Sequence, residues 1–163
     1  MIKYVPEDTS VVFSEIPDEV TLAINISNCT NRCKGCHTPY LQTDTGKELS
    51  YSDIDELISA NAGITCVCLM GEGNDKEAFF KVAQYIATNY KNVKLAVYSG
   101  RENVEKWYSE VFDYVKLGRY DVCYGAINEK DTNQRLYMKT KYGNNAQTIL
   151  GKDWSDITSK MQK

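Results

Sequence analysis

Apolar positions along the chain switch repeatedly between the spacing of a strand and the spacing of a helix. Val20-Thr21-Leu22-Ala23-Ile24-Asn25-Ile26 is rich in β-branched residues and predicts the first clear strand. Ile54, Leu57 and Ile58 then fall at i, i+3, i+4, the spacing of one buried helical face. Ser50 or Ser52 is placed to cap that helix, and Gly63 to follow its end. Ile64-Thr65-Cys66-Val67-Cys68-Leu69-Met70 is a nearly continuous apolar run, as expected of a parallel strand covered on both faces. Over 75–89, Ala78, Phe79, Val82, Tyr85 and Ile86 recur at helical intervals, with Lys76, Glu77 and Lys81 on the other side. A strand over 93–98, a helix over 102–110 and a strand over 112–117 follow. This alternation predicts an α/β fold with right-handed crossovers and a mostly parallel sheet.

The ends of the chain carry weaker patterns. Residues 1–19 scatter single apolar residues around Pro6 and Pro17, and Val11-Val12-Phe13 predicts a short edge strand. The stretch 38–49, with Pro39 and Gly46, reads as an irregular connection. Beyond 117 the expected order is a loop over 121–132, a short strand over 135–139 and a Gly/Asn turn over 142–146. A final helix is expected from Asp153, carrying Trp154, Ile157 and Met161. There is no internal repeat, and 163 residues predict a single domain, 1–163.

Charge narrows the range of functions. With 19 basic against 22 acidic residues, a net charge of −3 and no basic block, nucleic acid is not an expected partner. The longest apolar runs fall well short of the roughly 18 residues a spanning helix needs, and the N-terminus lacks a signal-peptide core. A cytoplasmic protein without a membrane partner is expected. Its six cysteines then read as metal ligands or buried thiols rather than disulfides.

Three of those cysteines share one loop, Asn28-Cys29-Thr30-Asn31-Arg32-Cys33-Lys34-Gly35-Cys36-His37. A structural zinc site takes four protein ligands, and an ordinary iron–sulfur cluster four cysteines. This loop offers Cys29, Cys33 and Cys36. On a [4Fe–4S] cluster that leaves one iron with an open position, which distinguishes a reactive metal site from a structural one. A zinc knuckle completed by His37 or a distant cysteine is the alternative. Cys66 and Cys68 project to one side of a strand and read as core residues, whereas Cys123 lies in a predicted loop. Ligands of α/β sheets gather at the carboxyl ends of the strands. Four segments fall there: the cysteine loop, Gly71-Glu72, Ser99-Gly100 and Gly118-Arg119.

The Cys-x3-Cys-x2-Cys spacing resembles the signature of the radical S-adenosylmethionine superfamily. Within it, Gly35-Cys36-His37 is similar to the segment around the third cysteine in activators of anaerobic ribonucleoside-triphosphate reductase. Tyr98-Ser99-Gly100 is similar to their aromatic-Thr-Gly segment, Lys116-Leu117-Gly118-Arg119-Tyr120 to their Val-Asp-Gly-Pro-Phe stretch, and Thr132-Asn133-Gln134-Arg135 to their Ser-Asn-Gln-Arg segment. The likeness covers about residues 10–140. It departs at Met70, where the family's Gly-Gly-Glu segment has glycine, and at Leu117, where aspartate is frequent.

The resemblance implies a small partial (β/α) barrel that binds a [4Fe–4S] cluster through Cys29, Cys33 and Cys36, with S-adenosyl-L-methionine on the open iron. Reductive cleavage would yield a deoxyadenosyl radical, and that radical would remove hydrogen from a glycine of the reductase. Cofactor contacts are implied for Gly35, Cys36 and His37, for Gly71 and Glu72 at the amino group, for Ser99 at the ribose or carboxylate, and for Lys116 at the carboxylate. Taken without the resemblance, Gly71 to Asn74 is a turn with a helix cap, Ser99 opens a helix, and Lys116 is a solvated strand lysine. The implied partners are the reductase, offering a flexible glycine loop, and a flavodoxin- or ferredoxin-like electron donor. An activator of another glycyl-radical enzyme and a non-catalytic metal-binding module are the alternatives.

Overall fold

The structure is a computed structural model describing residues 1–140 and 148–162. In chain order its elements are β1 (Lys3–Tyr4), β2 (Ser10–Val12), β3 (Thr21–Asn25), β4 (Lys47–Glu48), α1 (Tyr51–Ala60), β5 (Cys66–Met70), α2 (Lys76–Asn89), β6 (Lys94–Tyr98), α3 (Trp107–Val111), β7 (Tyr114–Leu117), β8 (Arg135–Lys139) and β9 (Trp154–Asp156). Seven strands form one sheet in the order β2-β3-β5-β6-β7-β8-β9, and β1 pairs with β4 in a separate ribbon. The four central strands, β3, β5, β6 and β7, run parallel. β2, β8 and β9 attach antiparallel to their neighbours. The sheet is therefore mixed, and the expected parallel arrangement holds at its centre. The outer strands arrive through loops without a crossover helix, and a parallel return needs such a crossover.

Side-chain alternation sorts the sheet into two unlike faces. Leu22, Ile24, Val67, Leu69, Val97 and Val115 join Ile54 of α1, Phe79 and Ile86 of α2 and Tyr108 of α3 in the larger core. Residues one step out of phase, Cys66, Cys68, Ala96 and Tyr114, pack instead with Ile16, Ile127 and Ile157 from loops and the C-terminal tail. One face is covered by helices and the other by irregular chain.

The helices begin where the sequence places their caps. The Ser50 hydroxyl accepts from the Asp53 amide while the Asp53 carboxylate accepts from the Ser50 amide, a reciprocal capping box. The Asp75 carboxylate accepts from the Ala78 amide at the start of α2. Two expectations are corrected. The helix expected over 102–110 is only α3, because no side chain caps an earlier start and Arg101 and Glu105 bond each other across the bend before it. The expected terminal helix is the strand β9 followed by one 3-10 turn, Thr158–Lys160. The free edge of β8 takes up Trp154 to Asp156, and Thr158 accepts from the Leu136 amide. Pairing at a sheet edge thus overrides an apparent helical spacing. The connection 38–49 also contains a 3-10 turn, Pro39–Gln42, and β4. The turn expected over 142–146 lies outside the described residues.

Candidate metal and cofactor site

Because β3, β5, β6 and β7 are parallel, the segments that follow them emerge at one edge of the sheet. Register then aligns Met70 with Tyr98 and Tyr98 with Lys116 in a row across the loop-covered face, just before the chain leaves each strand. Beyond this row lie Gly71, Ser99 and Gly118, with the cysteine loop beside them. The four sequence segments lie at this one edge but do not line one cavity.

Backbone bonds at its start fasten the cysteine loop to the chain behind it. The Asn28 and Cys29 amides donate to Thr43 and Leu41 carbonyls, and the Ser27 hydroxyl to Thr45. Inside the loop Asn28, Arg32 and Gly35 take left-handed conformations. At Gly35 a side chain would be strained, and its Cβ would stand 3.5 Å from the Tyr120 ring. Cys29, Cys33 and Cys36 are free thiols of intermediate exposure. The Asn31 amide donates to the Cys29 sulfur at 3.7 Å, and the Cys36 sulfur lies 3.8 Å from the Thr38 hydroxyl.

Next to this loop a cavity of about 540 Å3 opens on the loop-covered face, lined by Cys36, His37, Met70, Tyr98, Lys116 and Gln134. The His37 ring packs on Tyr120 with centroids 4.7 Å apart. Lys116 is only 9% exposed. Its ammonium stands 5.1 Å from the Tyr98 ring centroid and has no hydrogen bond or ion pair among the described residues. Burial holds its pKa down to about 8, against the opposing pull of the Cys33 and Cys68 sulfurs and Glu15. The solvated strand lysine of the plainer reading is instead a buried cation facing open space.

Glu72 and Ser99 are placed differently. The Glu72 carboxylate takes Arg101 Nη2 at 2.9 Å and Nε at 3.3 Å, the Ser99 hydroxyl at 3.0 Å, and the Tyr108 hydroxyl. Ser99 is fully buried, and its oxygen also accepts from the Arg101 amide. This network borders a small hollow of about 70 Å3 shared with Thr30 and Asn31 of the cysteine loop. Gly71 lies between the two places. Its amide donates to the Tyr98 carbonyl, and at its φ of 108° a Cβ would come within 3.3 Å of the Ile26 carbonyl oxygen. Cys36, His37 and Lys116 therefore share a cavity, while Glu72 and Ser99 are bonded to other protein groups behind the loop.

The remaining cysteines do not line the cavity beside the cysteine loop. Cys66 and Cys68 are fully buried, and burial pushes both thiols well above the ordinary range. Cys123 is exposed on an open hollow that His37 and Tyr120 also border.

The donor set fits a thiolate-bound iron–sulfur cluster. Among the described residues no group of three or more His, Cys, Asp or Glu side chains gathers to hold a single metal ion, which a zinc knuckle would require. A four-iron cluster asks something else, since each thiolate binds its own iron and the three sulfurs need not converge on one point. Cys29, Cys33 and Cys36 are three half-buried thiols on one loop, beside the cavity that Lys116 lines.

Residues that sequence reasoning overlooked are Asn31, Arg101 and Tyr108. Arg101 directly follows Ser99-Gly100, and a cation at the same strand edge as Glu72 was the available signal. Tyr108 lay hidden among twelve tyrosines. No helix among the described residues is long and apolar enough to cross a membrane. Comparison with known proteins finds no matching family, no matching curated protein and no matching solved structure.

Proposed function

We propose that the chain is a radical S-adenosylmethionine activase acting on anaerobic ribonucleoside-triphosphate reductase. Cys29, Cys33 and Cys36 would hold a [4Fe–4S] cluster, and S-adenosyl-L-methionine would lie in the cavity of about 540 Å3 beside them. On this reading the sheet is a small partial barrel whose interior is the loop-covered face. The observation that carries it is Lys116, a buried ammonium without an anionic partner among the described residues, which faces the cavity Cys36 lines. Such a charge calls for an incoming anion, and a carboxylate bound there would gain a charge-assisted bond. When bound, the cluster supplies the electron that breaks the sulfonium bond. The protein's own share is positional: Lys116 orients the carboxylate, Met70 and Tyr98 wall the cavity, and Gly35 gives the loop its left-handed turn beside Cys36. A partner glycine, lacking a side chain, would enter from the open side and close the site against water. The setting would be cytoplasmic, with a flavodoxin- or ferredoxin-like donor.

Anaerobic reconstitution with iron and sulfide tests this. About four irons per chain are expected, with a visible absorption band that is lost in C29A, C33A or C36A and kept in C123A. Reduced with S-adenosylmethionine, the loaded chain should release 5′-deoxyadenosine and place a glycyl radical, seen by paramagnetic resonance, on the reductase. A radical on a different glycyl-radical enzyme alone would change the partner. Iron loading without any deoxyadenosine would leave a metal-binding module.

A further inference from the structure

Two of the segments at the carboxyl edge touch the cysteine loop, and both reach it at Asn31. The first contact is steric. A Cβ built on Gly100 would fall 2.3 Å from Asn31 Nδ2 and 2.8 Å from its Cγ, so the Asn31 side chain could keep its place only beside a glycine. Gly100 is not among the residues at positive φ, so the need there is for space rather than for a special backbone angle. Nor can the Gly100 segment retreat. The Ser99 amide donates to the Lys116 carbonyl, the Gly118 amide to the Arg101 carbonyl, and the Ser99 hydroxyl and Arg101 guanidinium both bind Glu72. The second contact is polar, from Arg119 Nη2 to the Asn31 carbonyl at 3.3 Å. Arg119 is held in turn. Asn133 donates to its carbonyl at 3.1 Å, and Gln134 Nε2 donates to the Gly118 carbonyl at 3.2 Å. The Asn31 amide then reaches the Cys29 sulfur.

We infer that Ser99-Gly100-Arg101, Gly118-Arg119 and Asn133-Gln134 form a clamp that grips Asn31 and so fixes the cysteine loop and the Cys29 sulfur. They are positioning residues for the thiols, not ligands of a bound molecule. This explains why Glu72 and Ser99 are spent on protein contacts. It also gives a role to Asn133, and to Gln134 a second one besides lining the cavity. The inference rests on the cysteine loop being the working part of the proposed site, and on no particular metal.

The test is amide hydrogen exchange, read by mass spectrometry on the metal-free chain. Gly100→Ala should speed exchange in the peptide covering 29–36 by about tenfold or more while leaving β5 and β6 unchanged, as expected of a local opening. Asn31→Ala and Arg119→Ala should each speed it several-fold. The double variant Gly100→Ala/Asn31→Ala should be no worse than Asn31→Ala alone. The clashing amide would be gone, and the Asn31 Cβ position lies 3.4 Å from the new methyl. Unchanged exchange in Gly100→Ala, or a double variant showing both effects added, would overturn the clamp. Should Gly100→Ala open everywhere, the Asn31 and Arg119 variants decide, and a loop indifferent to both refutes it. Iron loading of the same variants separates the two readings. A loop that responds as expected in a chain that takes up no iron upholds the clamp and removes the metal site.

Discussion

The loop-covered face of the sheet buries charge in two places, and they are built in opposite ways. Near the amino-terminal ends of the strands, Glu19 is buried and its carboxylate accepts from Lys94 at 2.5 Å and from the Tyr114 hydroxyl at 2.7 Å. Lys94 and Tyr114 are the first residues of β6 and β7. Two positions further along β7, on the same face, Lys116 carries a charge to the carboxyl edge and meets no hydrogen-bond or ion-pair partner among the described residues. A buried charge is generally stable only when paired or bound. The first place is complete and serves the fold. The second is incomplete in the protein alone, and that incompleteness marks it as a place for something that arrives. The two charges are separated by residues of one strand, so the contrast is one of partners and not of surroundings.

The largest effect should come from breaking the complete place. Glu19→Ala leaves the Tyr114 hydroxyl without its acceptor, but Lys94 is half exposed and can be hydrated. The expected loss is about 1–3 kcal/mol rather than the larger figure for stranding a fully buried ion. In urea the midpoint should fall with little change in slope. The loss should also depend on pH in a definite direction. Burial tends to raise the Glu19 carboxyl pKa, but hydrogen bonds from Lys94, Thr65 and Tyr114 outweigh it and leave the group below its ordinary 4.5. A carboxyl lowered in the folded state contributes stability above the unfolded pKa, and that contribution is lost as pH falls through the folded one. The gap between the parent chain and Glu19→Gln should therefore be full at neutral pH and narrow below about pH 4.5. A gap that widened on acidification would mean the cluster is not held by its charge.

Changing the incomplete place should have the opposite sign. Lys116→Met removes a buried cation and keeps its apolar stem, so stability should rise by about 1 kcal/mol. Affinity for S-adenosylmethionine, measured on the iron-loaded chain by calorimetry, should fall at least tenfold, the loss of one charge-assisted bond. A less stable Lys116→Met would show that the ammonium is satisfied within the fold, and the contrast with Glu19 would disappear.

How much of this was legible in advance depended on the range of the interactions involved. β3, β5, β6, α1 and α2 were readable because one buried face repeats within each segment and the caps Ser50 and Asp75 are local. The convergence of the cysteine loop with Gly71, Ser99 and Gly118 followed from the same local reading, since parallel strands end at one edge. β9 was misread because Trp154, Ile157 and Met161 suit either a helix or a strand, and the choice was made by the distant edge of β8. Lys116 could be placed on a strand but not on a face, because its burial depends on Tyr98 and on loops from elsewhere in the chain. The bonds from Arg101 and Tyr108 to Glu72 span 29 and 36 residues and left no periodic trace.

The smallest effect concerns the residues lying between the two charged places, Cys66 and Cys68 of β5. Both are wholly enclosed, Cys66 in register with Lys94 and Cys68 with Ala96, two residues nearer the Met70 end. Replacing either with alanine should cost about 1 kcal/mol, the loss of one sulfur's contacts and a small void. Iron loading should not change. A metal ligand must be a thiolate, and burial keeps both of these thiols protonated far above neutral pH, Cys66 also by repulsion from Glu19. Serine should be the worse substitute at Cys68, whose sulfur meets the Met70 sulfur, whereas at Cys66 the buried Thr21 hydroxyl is within reach. Native-state alkylation should accordingly modify Cys29, Cys33, Cys36 and Cys123 and spare this pair. If the alanine variant at Cys66 stayed folded yet lost its iron, a fourth thiol would be serving the metal. The open position on which the proposed chemistry depends would then be closed.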